Sequence, residues 1–300
     1  MRSVMTFHVP GVLLAVLPLV ACGSSAPTFP VAYSAEQLNA ASQRPLARDS
    51  FGGPPAREEA APAPIEEPPA PPPAPAALRV IHASPDRAAA SVSVYLDGSE
   101  VAAMQGVAYR AIVGAVQVAP GAHPVSVRST NAAGTVLLTA ETPALTEGGR
   151  FTAIVHGLGA GAPRLALAAS QDSTEAPDAG KARVRFFHAL VGLGAVDVCT
   201  VATPGHPAAA VFANVAFGAF GAYADVPAGA PIALQVRAQN ARPCTGLVRG
   251  TARVTPADRG IVTAVAIGRV VGAPAAPRQL LVCDDARTDG APSCATVAVQ

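Results

Sequence analysis

Two stretches of this chain repeat one another, and that repeat limits what it can fold into more than any other feature. Leu78-Arg79-Val80-Ile81-His82-Ala83 is matched by Val184-Arg185-Phe186-Phe187-His188-Ala189. The match continues in register: Val107-Ala108-Tyr109 answers Val215-Ala216-Phe217, Pro120-Gly121-Ala122 answers Ala228-Gly229-Ala230, Val127-Arg128 answers Val236-Arg237, and Thr152 with Gly157 answers Thr263 with Gly268. A fixed internal period means that one structural unit occurs twice. Each copy has about 100 residues, the size of a seven-stranded sandwich.

The texture within each copy is that of short apolar runs between turn residues, which marks an all-β protein. In the first copy the expected strands are Leu78 to Ala83, Ser91 to Leu96, Ala111 to Val118, His123 to Arg128, Thr135 to Thr139, Phe151 to His156 and Arg164 to Ala169. Alternation is clearest at Val92 and Val94 and at Val125 and Val127. Asp97-Gly98, Pro120-Gly121 and Gly148-Gly149 supply the turns. The expected architecture is all-β: two tandem sandwich domains of immunoglobulin-like or transthyretin-like kind, over 78–172 and 181–300, after a disordered Pro-rich linker. Gln171 to Gly180 connects the copies.

Val80-Ile81-His82-Ala83-Ser84-Pro85-Asp86, Val94-Tyr95-Leu96-Asp97-Gly98, the Pro120-Gly121 turn and Phe151-Thr152 together resemble the domain-of-unknown-function family 4397, over Ala77 to about Ala286. The resemblance implies a compact β-sandwich placed at a bacterial surface, and no established activity. The second copy departs from the pattern. After His188-Ala189 it reads Leu190-Val191-Gly192, without the Ser-Pro-Asp of the first.

The N-terminus carries a targeting pattern. Arg2 is a short positive region, Val12 to Val20 is apolar apart from Pro18, and Leu19-Val20-Ala21-Cys22-Gly23 resembles a bacterial lipobox. That resemblance implies a signal peptide over 1–21 and a mature protein whose first residue, Cys22, is acylated and binds membrane lipid. An ordinary secretory peptide is the alternative. A spanning helix is disfavoured because the run is shorter than the roughly 20 residues needed to cross the hydrocarbon core. Gly23, Ser24 and Ser25 follow the cysteine in place of a retention-type Asp, which favours the outer over the inner membrane. From Gly23 to Ala77 the prolines from Pro54 to Pro75, interleaved with alanine and with Glu58-Glu59 and Glu66-Glu67, favour an extended tether unable to join a sheet. A ligand for a proline-binding domain is the other reading.

Loss of Met1 to Ala21 removes one of the 21 basic residues, Arg2, and leaves the positive charges equal to the 20 acidic ones. With no basic surplus, binding to nucleic acid is disfavoured. The chain has no Trp and few other aromatics, so stacking platforms for sugars or quaternary amines are scarce.

His82, Ser84 and Asp86 invite a hydrolase or metal-dependent reading, but neighbours along a strand point to opposite faces and do not converge as a triad must. The structural reading is that His82 ends a strand, Ser84 and Asp86 bond local amides, and Pro85 fixes the turn. His188 survives in the copy that lacks the other two, which favours structure. Recognised nucleophile, phosphate and dinucleotide motifs are absent. Asp284, Asp285 and Asp289-Gly290 match no calcium loop and suit solvated turn carboxylates better. No cofactor or metal is expected.

Cys199, Cys244, Cys283 and Cys294 all lie in the second copy, an even set without a C-x-x-C pair, as disulfides in an exported chain would be. Of the three possible pairings, Cys283 with Cys294 and Cys199 with Cys244 are favoured. Reduction is then expected to weaken the second copy and leave the first alone. The functional expectation is a non-enzymatic envelope lipoprotein that displays two domains for adhesion, scaffolding or recognition of an envelope protein or surface ligand. Replacing Cys22 with alanine should abolish incorporation of labelled palmitate; label that persists in Cys22→Ala would exclude the lipobox.

Overall fold

The computed structural model describes residues 70–130, 134–270, 276–285 and 294–299. Cys22, the signal region and the tether up to residue 69 lie outside these residues, as do Ala286, Asp289 and Gly290. The first copy contains β1 (Ala76–His82), β2 (Ser91–Leu96), β3 (Ser99–Glu100), β4 (Val107–Ala108), β5 (Ile112–Val118), β6 (Pro124–Ser129), β7 (Val136–Glu141), β8 (Arg150–His156) and β9 (Ala166–Gln171). The second contains β10 (Lys181–Val191), β11 (Val196–Thr200), β12 (Ala210–Val215), β13 (Ala224–Pro227), β14 (Ile232–Ala238), β15 (Val248–Val254), β16 (Ile261–Arg269), β17 (Gln279–Asp284) and β18 (Cys294–Ala298).

Each copy is a sandwich. In the first, sheet β5-β1-β8-β9 faces β3-β2-β6-β7 across a core that includes Leu78, Val80, Val92, Val94, Val127, Phe151 and Ala153. In the second, β13-β10-β16-β17-β18 faces β12-β11-β14-β15 across Val184, Phe186, Val198, Phe212, Val236, Ala264 and Leu280. The repeat is visible in the pairing: β1 runs parallel to β8, and β10 parallel to β16.

Several expected boundaries shift. The first strand begins at Ala76, inside the expected tether, because the last proline is Pro75 and a chain can enter a ladder directly after one. The strand expected over Thr135 to Thr139 is Val136–Glu141, that over Arg164 to Ala169 is Ala166–Gln171, and that over His123 to Arg128 is Pro124–Ser129. Gln171 therefore closes a strand and does not open the connector.

Gly157, directly after β8, and Gly268, near the end of β16, are matched in the repeat and both sit at positive φ. A Cβ on Gly157 would meet the carbonyl of Arg164, and one on Gly268 the carbonyl of Pro277. Close backbone approach therefore demands glycine at both places.

The copies are packed against each other. Alternate side chains of β1, β8, β10, β16 and β17 point away from their own cores and meet in a third apolar cluster of Ile81, Ile154, Phe187, Val265, Ile267 and Leu281. The two middle sheets are thus buried on both faces. Adjacent apolar residues such as Val80-Ile81 and Phe186-Phe187 serve one core each, because successive side chains of a strand leave on opposite sides.

Cys199 of β11 bonds Cys244 in the loop after β14, and Cys283 of β17 bonds its cross-strand partner Cys294 of β18. Buried Asp197 supports the first bridge: its carboxylate accepts from Cys244 N at 3.1 Å and Asn214 N at 2.8 Å, both residues at positive φ. Cys283 belongs to the cluster shared between copies, which alters the expectation that reduction weakens the second copy alone. Denaturant unfolding should follow one transition for both copies, and reduction should lower that single midpoint. Two separated transitions, the earlier insensitive to the first copy, would show the copies to be uncoupled.

Candidate functional site

The His82 loop follows from what its backbone must satisfy. His82 and Ser84 are fully buried. His82 Nδ1 accepts from Ser84 N at 3.3 Å, and Nε2 faces the Ala89 carbonyl, so the ring is the Nε2–H tautomer. Ser84 Oγ donates to Gly157 O at 2.7 Å. Asp86 caps the short helical turn Arg87–Ala89 through Ala88 N at 3.3 Å and takes Ala160 N at 2.9 Å. Each polar atom is engaged with backbone, and Ser84 Oγ is directed to Gly157 and not to the imidazole. Pro85 stands between the two backbone-bound residues.

The second copy keeps the histidine and discards the rest. His188 Nδ1 accepts from Leu190 N at 3.2 Å and Nε2 donates to Gly194 O at 2.8 Å. In both copies one ring ties an amide two residues on to a carbonyl a few residues later, at the end of the first strand in the first copy and across the last residues of β10 in the second. Burial lowers the pKa of both rings, which keeps them neutral and fit for one donor and one acceptor bond.

A cluster with richer geometry lies where the copies meet. Arg79 of β1 donates from Nε to Thr152 Oγ1 at 2.8 Å, from Nη1 to the Asp284 carbonyl at 2.8 Å and from Nη2 to Asp285 Oδ1. Arg185 of β10 repeats this in reverse: Nε to Thr263 Oγ1 at 2.8 Å, Nη1 to the Gln171 carbonyl at 2.9 Å, and Nη2 to Asp172 Oδ1. Thr152 in turn donates to Asp172 and Thr263 to Asp285, each at 2.7 Å. Each arginine thus rises from its own copy and grips a carboxylate just past the end of a strand of the other, Asp285 after β17 and Asp172 after β9. Arg185, Asp172 and Asp285 are buried. Burial raises the pKa of Asp285 against the opposing pull of Arg79 and Arg185.

Residues 76–199 match the family model Domain of unknown function (DUF4397). The DUF4397 match takes in the whole first copy and the opening strands β10 and β11 of the second. The remainder of the second copy lies outside the match; it shares the internal repeat with the first copy. No curated protein matches the chain.

Beside the DUF4397 pattern, the sequence reading missed this cluster. Asp285 was expected in a solvated acidic loop with Asp284; the structure buries it in the cluster with Arg79, Thr263 and Tyr223 because its strand ends against the first copy. Asp172 was placed at the edge of a connector and is equally buried. Among the described residues no group of three or more His, Cys, Asp and Glu is placed to hold a metal, and no helix is long and apolar enough to cross a membrane.

Two cavities accompany these features. One, of about 170 Å³, lies within the second sandwich between Val184, Phe212, Val262, Leu280 and Val297. Leu78 and Phe151 of the first copy correspond to the smaller Val184 and Val262 of the second. The other, of about 140 Å³, borders Arg79 and both buried carboxylates.

His156 stands edge-on to Phe187 and Phe217, over Gly218, in a place that Ile267 takes in the second copy. Its Nδ1 is buried without a hydrogen bond, and burial, then the nearby His188, pushes its pKa down to about 4. Unfolded histidine titrates near 6.5. The unfolded chain therefore binds the extra proton between those values, so stability is complete above about 6.5 and falls as pH drops toward about 4. Protonation of Asp285, whose pKa is raised, works in the opposite sense. His156→Ile should flatten the loss of urea midpoint between pH 7 and pH 5; an equal loss in variant and parent would exclude His156 as its source.

Proposed function

We propose that the chain is a lipid-anchored protein of the bacterial cell envelope, held at the outer membrane by acylated Cys22, whose two DUF4397-like sandwiches form one rigid, non-catalytic binding or scaffolding unit. The observation that carries this reading is the reciprocal arginine–aspartate exchange, which couples the copies through buried charge and suits fixed display better than hinged catalysis. The lipobox-like Leu19-Val20-Ala21-Cys22 and the prolines up to Pro75 support anchoring at a distance from the bilayer. The all-β fold with a domain of this family is compatible with that role. The engagement of His82, Ser84 and Asp86 with backbone favours it over a hydrolase centred on that loop.

Photo-cross-linking from exposed positions in intact envelopes should give the same protein adducts for Ser84→Ala as for the unaltered chain, and lose them in Cys22→Ala. Adducts that persist without the anchor, or a hydrolytic activity that vanishes with Ser84→Ala, would overturn the proposal.

A further inference from the structure

The two halves of the arginine cluster differ in what covers the guanidinium. Arg185 packs against the rings of Phe220 and Tyr223, with its Cζ 4.7 Å and 5.0 Å from the ring centroids. Tyr223 Oη donates to Asp285 Oδ2 at 2.9 Å and accepts from Ser173 N at 3.2 Å. Among the described residues no ring lies over Arg79.

Strand pairing identifies the residues that stand in the same places on the other side. Leu78 is opposite Val116 and Ile81 opposite Ile112 in β1–β5; Val184 is opposite Ala224 in β10–β13, and Phe187 bridges Phe220. Ile112 therefore corresponds to Phe220, and Ala115, one residue before Val116, corresponds to Tyr223, one residue before Ala224. Where the second copy puts a phenol ring the first has a methyl group, and a space of about 140 Å³ lies there, lined by Ala77, Arg79, Ala115, Gln117, Arg150 and Phe151 with Asp172 and Asp285. That volume is of the size that holds a single aromatic ring.

The chemistry at the back of this space repeats what Tyr223 meets. Arg79 offers a guanidinium face for a ring, an interaction that strengthens with desolvation, and its side chain is only 11 % exposed. Asp172 is the counterpart of Asp285. Its Oδ1 takes Thr152 and Arg185, and among the described residues its Oδ2 has only Arg79 Nη2 at 3.5 Å, so it retains capacity to accept from a hydroxyl.

We propose that this cavity is a binding site for a phenol: an aromatic ring stacked on Arg79 beside Ala115, its hydroxyl donating to Asp172 Oδ2, as the Tyr223 side chain does for Arg185 and Asp285. The ligand is either a free phenolic compound or a tyrosine side chain presented by a peptide. The site stands on the folded cluster alone and does not require the anchor or the scaffold reading.

The test uses ¹⁵N-labelled chain titrated with p-cresol, with toluene, and with N-acetyl-tyrosinamide. p-Cresol should shift the amides of Ala77, Ala115 and Gln117 saturably, and toluene should bind at least tenfold more weakly for want of the hydroxyl. N-acetyl-tyrosinamide acting on the same amides would assign a peptide tyrosine; p-cresol acting alone would assign a free phenol. Ala115→Tyr, which supplies the ring from the chain itself, should remove the response to p-cresol while keeping the amide spectrum of the fold. Because that variant could also block the space by misfolding, 4-methylanisole, whose ether oxygen cannot donate, serves as a second probe on the unaltered chain and should bind as weakly as toluene. Equal binding of toluene and p-cresol, or undiminished p-cresol binding to folded Ala115→Tyr, would overturn the site.

Discussion

The exchange between Arg79 and Asp285 on one side and Arg185 and Asp172 on the other is the constraint on which the rest of this structure depends. A guanidinium as buried as that of Arg185, 1 % exposed, persists only if its donors are met, since an unpaired charge in the interior costs several kcal/mol. Here the threonine beneath, the carbonyl opposite and the carboxylate across the boundary meet them. Deleting one partner of such a pair typically costs about 3 to 5 kcal/mol, because the other is left stranded. The apolar cluster of Ile81, Ile154, Phe187 and Leu281 is buried between the same two copies. Charge sets the alignment of the two sheets, and burial of the cluster holds them together.

That arrangement explains features which would look arbitrary in an isolated sandwich. Strands β1, β8, β10 and β16 carry apolar residues on both faces. His156 keeps a neutral ring without a bond to Nδ1, because it sits among aromatic side chains of the other copy. The disulfide at Cys283 lies on the strand whose end supplies Asp285, so the covalent restraint reaches the same boundary. The histidines belong to a different layer of the design: His82 and His188 make their hydrogen bonds to backbone within their own copies, and His188 also acts on His156 across the boundary.

Much of the fold was legible from residues alone, because it rests on local signals. The repeat, the turn residues and the even set of cysteines pointed to two β-sandwich units with bridges in the second. The presence of His188 without Ser84 and Asp86 counterparts speaks against a triad from the residues alone. Arg79 and Arg185 stood in the quoted repeat and still escaped notice, since an arginine within a strand has the sequence appearance of a solvent-facing residue. Their partners, Asp172 and Asp285, lay at strand ends that looked like connector and turn. Only long-range pairing distinguishes those environments. One usable signal was present: Val80-Ile81 and Phe186-Phe187 place apolar side chains on both faces of a strand, which is incompatible with one core and solvent.

The relation between the copies also says something about symmetry. A surface on which residue i of one unit meets residue j of the other, and j meets i, is the isologous surface of a two-fold homodimer. In a dimer of identical chains, whatever stands at the position of Ala115 must stand at that of Tyr223, so both arginines would be roofed by a ring or neither would. Joining the units through the segment from Ser173 to Gly180 turns a concentration-dependent association into an intramolecular one. It also lets the halves diverge: one closes its arginine under Tyr223 and takes up disulfides, while the other keeps a recess open to the outside beside Arg79.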